Sequence, residues 1–278
     1  MFFKPTHRAF RSLAPIALIL GMGITILPMA HAQDGNAIAR KMIQTYHNLN
    51  TYSETSEAKI VVLGGPQQIQ TASLKYQKPS AFVSTTSDPQ SGTLQIYSDG
   101  KKVTIYGGRQ NIFTQRNYTG NFVTTVAQYE KVAKELLDMN IQQLLSPVGF
   151  MIAKDLPREA KAFKVLPAEK RGGKDNYVIQ SPVDMTWLTG MVGKQNFMAN
   201  RCVVRLWIDK QTYLVTRAVM NIMWQVKLQR PGVKERLLVQ GMVLEEDHKD
   251  QQPNSPLNFD SFRFAPPAGA KQIFEETR

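Results

Sequence analysis

Side chains able to do chemistry are few in this chain, and they are not grouped. Once the N-terminal segment is set aside the histidines are His47 and His248, and neither has a second histidine or a carboxylate at metal-ligand spacing. His47 falls in an amphipathic helical stretch and His248 in a polar run, Asp247 to Pro256, which reads as a loop. Glu245, Glu246 and Asp247 are adjacent; at the end of a strand such a run is solvated acid rather than a pair set up for acid–base work. Cys202 is the only cysteine. It excludes an internal disulfide and, opening the apolar run from Cys202 to Asp209, reads as a small buried hydrophobe. The chain has no G-x-S-x-G elbow, no H-E-x-x-H, no C-x-x-C and no phosphate-binding glycine loop. Asn117-Tyr118-Thr119 fits a glycosylation sequon, a match short enough to arise by chance. The expectation is a protein that is not an enzyme, with no catalytic residue, no metal and no cofactor.

What the chain has instead is alternation. From Ser73 to Gly108, apolar residues recur with a period of two: Leu74 and Tyr76, then Leu94 and Ile96, then Val103 and Ile105, so that one face of each strand turns to a common interior. Asp88 to Gly92 and Ser98 to Lys101 are turn sequences, because Pro presets φ, Asp bonds back to the backbone and Gly accepts positive φ. This predicts an antiparallel meander. Farther on, three strands are predicted at Val203 to Ile208, Thr212 to Leu228 and Glu235 to Glu246, with turns at Asp209-Lys210 and Pro231-Gly232. In the long middle one Leu214, Ala218, Met220, Ile222, Trp224, Val226 and Leu228 share a parity and give a continuous apolar face. Two shorter strands are predicted at Ala162 to Leu166 and Asn176 to Ile179, and a last one at Asn258 to Phe264.

Helical spacing is confined to a few segments. Ile38, Met42 and Tyr46 with Ile43 and Leu49 form a stripe between Asp34 and Leu49. A second pattern starts at Thr124, continues at Ile141 to Leu145 and leads into the apolar segment Ser146 to Ile152. Met185 to Ala199 is too apolar for a free linker; it reads either as a packed insertion or as a methionine-rich surface for hydrophobic ligands.

Residues 1–32 combine a basic start, a hydrophobic run from Leu13 to Met29 and Ala30-His31-Ala32, the pattern of a secretory signal peptide cut after Ala32. The protein is therefore expected in the periplasm, with 33–278 as one domain. Lys and Arg exceed Asp and Glu by 12 over the chain, and by about 9 once the leader's Lys4, Arg8 and Arg11 are gone. These charges are scattered, whereas nucleic-acid binding needs a basic stripe with exposed aromatics. An anionic membrane face suits them better, with Lys227, Lys234 and Arg236 as the densest candidates.

Lys78-Pro79, the aromatic strand at Phe82, Tyr97-Ser98-Asp99-Gly100 and Tyr106, together with Phe262 to Ala270 and its Pro266-Pro267 turn, resemble the LolA-like superfamily of periplasmic lipoprotein carriers, which includes LolB-like acceptors and RseB-like sensors. The resemblance implies an α+β, mainly β fold: a strongly curved antiparallel sheet forming a half-open β-barrel. Its mid-chain helices, about 124–152, would act as a lid carrying Phe150 and Met151, and about 155–199 is extra material. A half-barrel can have its inner face filled as core or left as a hydrophobic cavity. In the second case Tyr76, Phe82, Ile96, Ile105, Leu206, Met220, Ile222 and Trp224 are the candidate lining. The implied function is a monomeric, non-enzymatic carrier that shelters lipoprotein acyl chains or another lipid, with a transient membrane or membrane-protein partner. The alternative is a sensor of the RseB type acting through a protein partner.

Overall fold

The computed structural model describes residues 34–89, 92–117, 162–183, 197–228 and 236–273, all within one compact unit, Gln33–Arg278. The expected signal peptide, the helices expected at 124–152 with Phe150 and Met151, and residues 155–161 and 184–196 of the expected insertion lie outside them. Mainly β structure is what the alternation demands. The strands are β1 (Thr51–Val62), β2 (Gln67–Gln77), β3 (Ala81–Asp88), β4 (Gly92–Asp99), β5 (Lys102–Gly107), β6 (Ile112–Asn117), β7 (Lys164–Arg171), β8 (Lys174–Val183), β9 (Phe197–Asp209), β10 (Val215–Leu228), β11 (Arg236–Pro253) and β12 (Lys271–Gln272). They form a single 12-stranded sheet in the order β12-β6-β5-β4-β3-β2-β1-β11-β10-β9-β8-β7. Every ladder is antiparallel except β12 on β6. The predicted meander is β2 to β5, paired in sequence order. Among the described residues no ladder joins β7 to β12, and these two strands end the order.

One helix, α1 (Gly35–Asn48), lies among the described residues. Asp34 caps it, its carboxylate accepting from the Asn36 N–H at 2.9 Å. Its buried stripe is Ile38, Ala39, Met42, Ile43 and Tyr46, the face predicted from spacing, and it packs on Ile179, Cys202, Val204, Leu206, Ile208, Ala218 and Ile222. Only glycine fits at position 35: a Cβ there would lie 2.3 Å from the Phe163 carbonyl oxygen. That close approach lets Asn36 Oδ1 accept from the Phe163 N–H at 3.0 Å, fastening the helix start beside β7.

The opposite face of the sheet has its own cover. Phe262 is fully buried against Ala81 and Val83, and Phe264 lies with its ring centroid 5.0–5.7 Å from those of Phe113, Tyr97 and Tyr106. This C-terminal strap corrects one expectation: Asn258 to Phe264 is not a strand. Phe259–Phe262 is a 3-10 turn capped by Asn258, and the strand that ends the sheet is β12. A second correction is larger. β11 does not end at Glu246 but runs on to Pro253, because Asp247 to Gln252 finds β1 as a ladder partner; the expected polar loop is the second half of a strand. β7 and β8 also outrun the two short strands foreseen there, to Arg171 and Val183. At the far edge β7 is highly exposed, is interrupted by Pro167 and a register shift between Leu166 and Glu169, and carries Lys164, Lys170 and Arg171.

Candidate functional site

The ladder registers put every candidate lining residue among the strands on one side of the sheet, the side α1 packs against. Tyr76 pairs with Phe82, Ile96 with Ile105, Leu206 with Ala218, and Met220 and Ile222 with Leu244 and Met242. Tyr52 links the two halves by pairing with Tyr76. This inner face has two covered ends. Leu206 and Ile222 are buried among the side chains beneath α1, while Phe82, Ile96 and Ile105 are buried at the meander end with Leu94 and Val103. Tyr76, Met220 and Trp224 are only half-buried and pack against the rim of the α1 cluster. They form an apolar floor with Leu74, Met242 and Leu244, which are half-buried as well. Phe150 and Met151 lie outside the described residues. Cys202 is buried in the α1 cluster, and burial pushes its thiol up to about 11. That fits the packing role expected of it.

At the helix-covered end of this apolar face sits a polar cluster that sequence reasoning missed. β1 and β11 pair so that Ser56 stands opposite His248 and Ala58 opposite Glu246, and Glu54 comes in from a bulge in the same ladder. His248 Nδ1 is 3.1 Å from Glu54 Oε2 and its Nε2 is 3.7 Å from Glu246 Oε2, with all three side chains between 0% and 2% exposed. Tyr52 donates to the same Glu54 oxygen at 2.8 Å, and Ser56 donates to Glu246 Oε1 at 2.7 Å. Burial alone would lower the imidazole pKa. The Glu54 hydrogen bond and the charges of Glu246, Glu54 and Asp247 outweigh it and hold His248 above its ordinary range. A protonated ring fits the geometry, with Nδ1–H donating to Glu54 and the second N–H turned to Glu246. Such a ring offsets one of the two buried negative charges and gives a hydrogen-bonding or ionic partner to both carboxylates.

The cluster also reaches the helix. Gln251 Nε2 donates to Tyr52 Oη at 3.1 Å and to the Val215 carbonyl at 2.7 Å, while the Val215 N–H donates to Tyr46 Oη at 3.1 Å. The Tyr46 and Tyr52 rings meet edge to face, their centroids 5.7 Å apart. Burial drives both phenols well above the usual tyrosine range, so both stay neutral. His47, by contrast, is exposed on α1. The signal that could have revealed the cluster is parity: Glu246 and His248 are two apart, as are Tyr52, Glu54 and Ser56, so each set shares a strand face.

On the outer side of the same strands the charges meet differently. Arg217 lies 2.6 Å from Glu245 and 3.8 Å from Asp247, and Arg171 reaches Asp247 at 2.8 Å. Arg205 and Arg217 flank the Trp207 ring, whose N–H donates to Glu169 at 2.8 Å. Neither face brings three potential ligands into a metal-binding group among the described residues.

Comparison with other proteins places the chain in sequence space. A family model described as predicted periplasmic protein (DUF2092) matches residues 35–275. None of the curated proteins matches. The structure is similar to that of lipoprotein LppX of Mycobacterium tuberculosis (11% identity, TM-score 0.43, covering 81% of this chain and 97% of that one). It is also similar to a LolA superfamily protein of Nitrosomonas europaea (11%, 0.33, 84% and 99%). A third similarity is to the MucA/MucB complex structure of Pseudomonas aeruginosa (11%, 0.40, 83% and 61%).

Proposed function

Because the chain belongs to the DUF2092 family of predicted periplasmic proteins, we propose that it works outside the cytoplasm as a non-enzymatic binding protein, sheltering acyl chains of a lipoprotein or another lipid on the inner face of its sheet. The observation that carries this reading is the common side of all the lining candidates, with Tyr76, Met220 and Trp224 left half-covered between the two buried ends. An acyl chain laid on that floor leaves water at a gain of about 0.8 kcal/mol per methylene. In the half-barrel form of the fold such a sheet bends around the acyl chain.

Native mass spectrometry of the protein purified from its own compartment is the test. The expected result is a co-purifying lipid or lipopeptide, lost in Met220→Glu and Trp224→Glu while the circular dichroism remains β-rich. A protein free of adduct, or an adduct indifferent to both substitutions, overturns the reading. Tight association with the soluble domain of an inner-membrane protein, without release of lipoprotein, would favour a sensor over a carrier.

A further inference from the structure

Large apolar side chains exposed among the described residues are not spread evenly. Val165 and Phe259 stand apart, but Val61, Leu63, Ile69, Met223 and Val239 gather at one end of β1, β2, β10 and β11. The registers make them neighbours on the outer face, away from α1. Ile69 pairs with Lys59, Val61 with Val243, Met223 with Gly241, and Val239 with Gln225. Leu63 joins the group through its N–H, which donates to the Gly241 carbonyl at 2.7 Å. Glycine at 241 leaves the middle of the group low: a Cβ there would come only 3.8 Å from that of Leu63. Leu63 is 66% exposed and Val239 50%. An apolar group of this kind on an outer sheet face marks a contact surface.

Its border says what the contact is. Arg201 is exposed and pairs with Met223, and Lys59 stands beside Ile69. Lys227, two positions on from Gln225, pairs with Leu237 at the same end of the β10–β11 ladder. Among the described residues the nearest carboxylates are already paired: Glu245 with Arg217 at 2.6 Å, and Glu57 with Lys249 at 3.4 Å and more loosely with Lys59 at 3.9 Å, which leaves the Lys59 side chain 42% exposed. We propose that this outer end of β1, β2, β10 and β11 docks on an anionic lipid bilayer, Leu63 and Val239 entering the interface while Arg201 and Lys59 meet the headgroups. Aliphatic side chains of modest depth within a basic border suit a headgroup layer, where apolar burial and attraction to anionic lipid add. A second copy of the chain is a poorer occupant, because apposed patches would set Arg201 and Lys59 against their own like charges.

The proposal is independent of the cargo reading, since the patch lies on the opposite face. Co-sedimentation of the purified mature protein with phosphatidylglycerol-containing vesicles tests it against pure phosphatidylcholine vesicles. Binding is expected to the first and to be much weaker to the second. Leu63→Glu with Val239→Glu should weaken it by at least about tenfold, Arg201→Glu should weaken it by about fivefold, and Phe259→Glu, an exposed apolar site outside the patch, should leave it unchanged. No binding to anionic vesicles, equal binding to both lipids, or binding indifferent to the patch substitutions overturns the proposal. So does a concentration-dependent dimer in sedimentation velocity that the same substitutions abolish. Native mass spectra of Leu63→Glu should keep the lipid adduct of the wild type, which separates failure of docking from failure of cargo binding.

Discussion

Glu245 and Asp247 point to one side of β11 and Glu246 and His248 to the other, so adjacent residues build two charged sites that differ in everything but composition. Outside, Arg217 and Arg171 hold Glu245 and Asp247 at a surface where those carboxylates keep 38% and 26% of their exposure. Inside, Glu54, His248 and Glu246 are sealed from water beneath the helix-covered end of the sheet. Water can replace a partner lost from the first site, and nothing can replace one lost from the second. Location, not residue type, thus decides what each ion pair is worth.

That contrast can be broken from the inside first. His248→Ala would strand two buried carboxylates and should cost about 3–5 kcal/mol, read as a lower urea midpoint with little change in slope; a loss below about 1 kcal/mol would mean the cluster is wet. Next comes pH. A histidine whose folded pKa is raised stabilises the fold fully below its ordinary value of 6.5, and that contribution is lost as pH rises through the folded value. The urea midpoint should therefore fall on the alkaline side of 6.5, and His248→Gln should flatten that fall; an identical pH profile in the variant would show that His248 is neutral when folded. Tyr46→Phe is milder. It leaves the Val215 N–H without its acceptor at about 1–3 kcal/mol, and amide exchange of α1 should quicken while that of the meander does not. The smallest effect belongs outside: Glu245→Gln should cost no more than about 1 kcal/mol and shrink further in high salt, and a cost matching that of His248→Ala would erase the distinction between the two sides.

The same strand shows what could be read from the chain alone. Apolar alternation was sufficient for the meander, for the inner face of β10 and for the buried stripe of α1, because a water-facing slip of one residue would expose every side chain on that face. It failed from Asp247 onward. Polar residues that alternate between a buried cluster and solvent look, residue by residue, like a loop, and only the pairing of Glu57, Ser56 and Thr55 on β1 with Asp247, His248 and Lys249 makes them a strand. Phe262 misled in the opposite direction. Its neighbours suggested a strand, yet it is an anchor that pins a turn to the sheet. The apolar patch around Leu63 could not be seen at all from sequence, since it is assembled from four strands whose order is not local.

Among the described residues strand β7 ends the sheet, and its make-up matters for a member of a family of predicted periplasmic proteins. A proline without an N–H, a shifted register and three cations give an incoming strand little to bond with. An unfolded polypeptide, rich in unpaired backbone, would find a poor template on it. A sheet of this length can thus end in a strand that discourages edge-to-edge pairing.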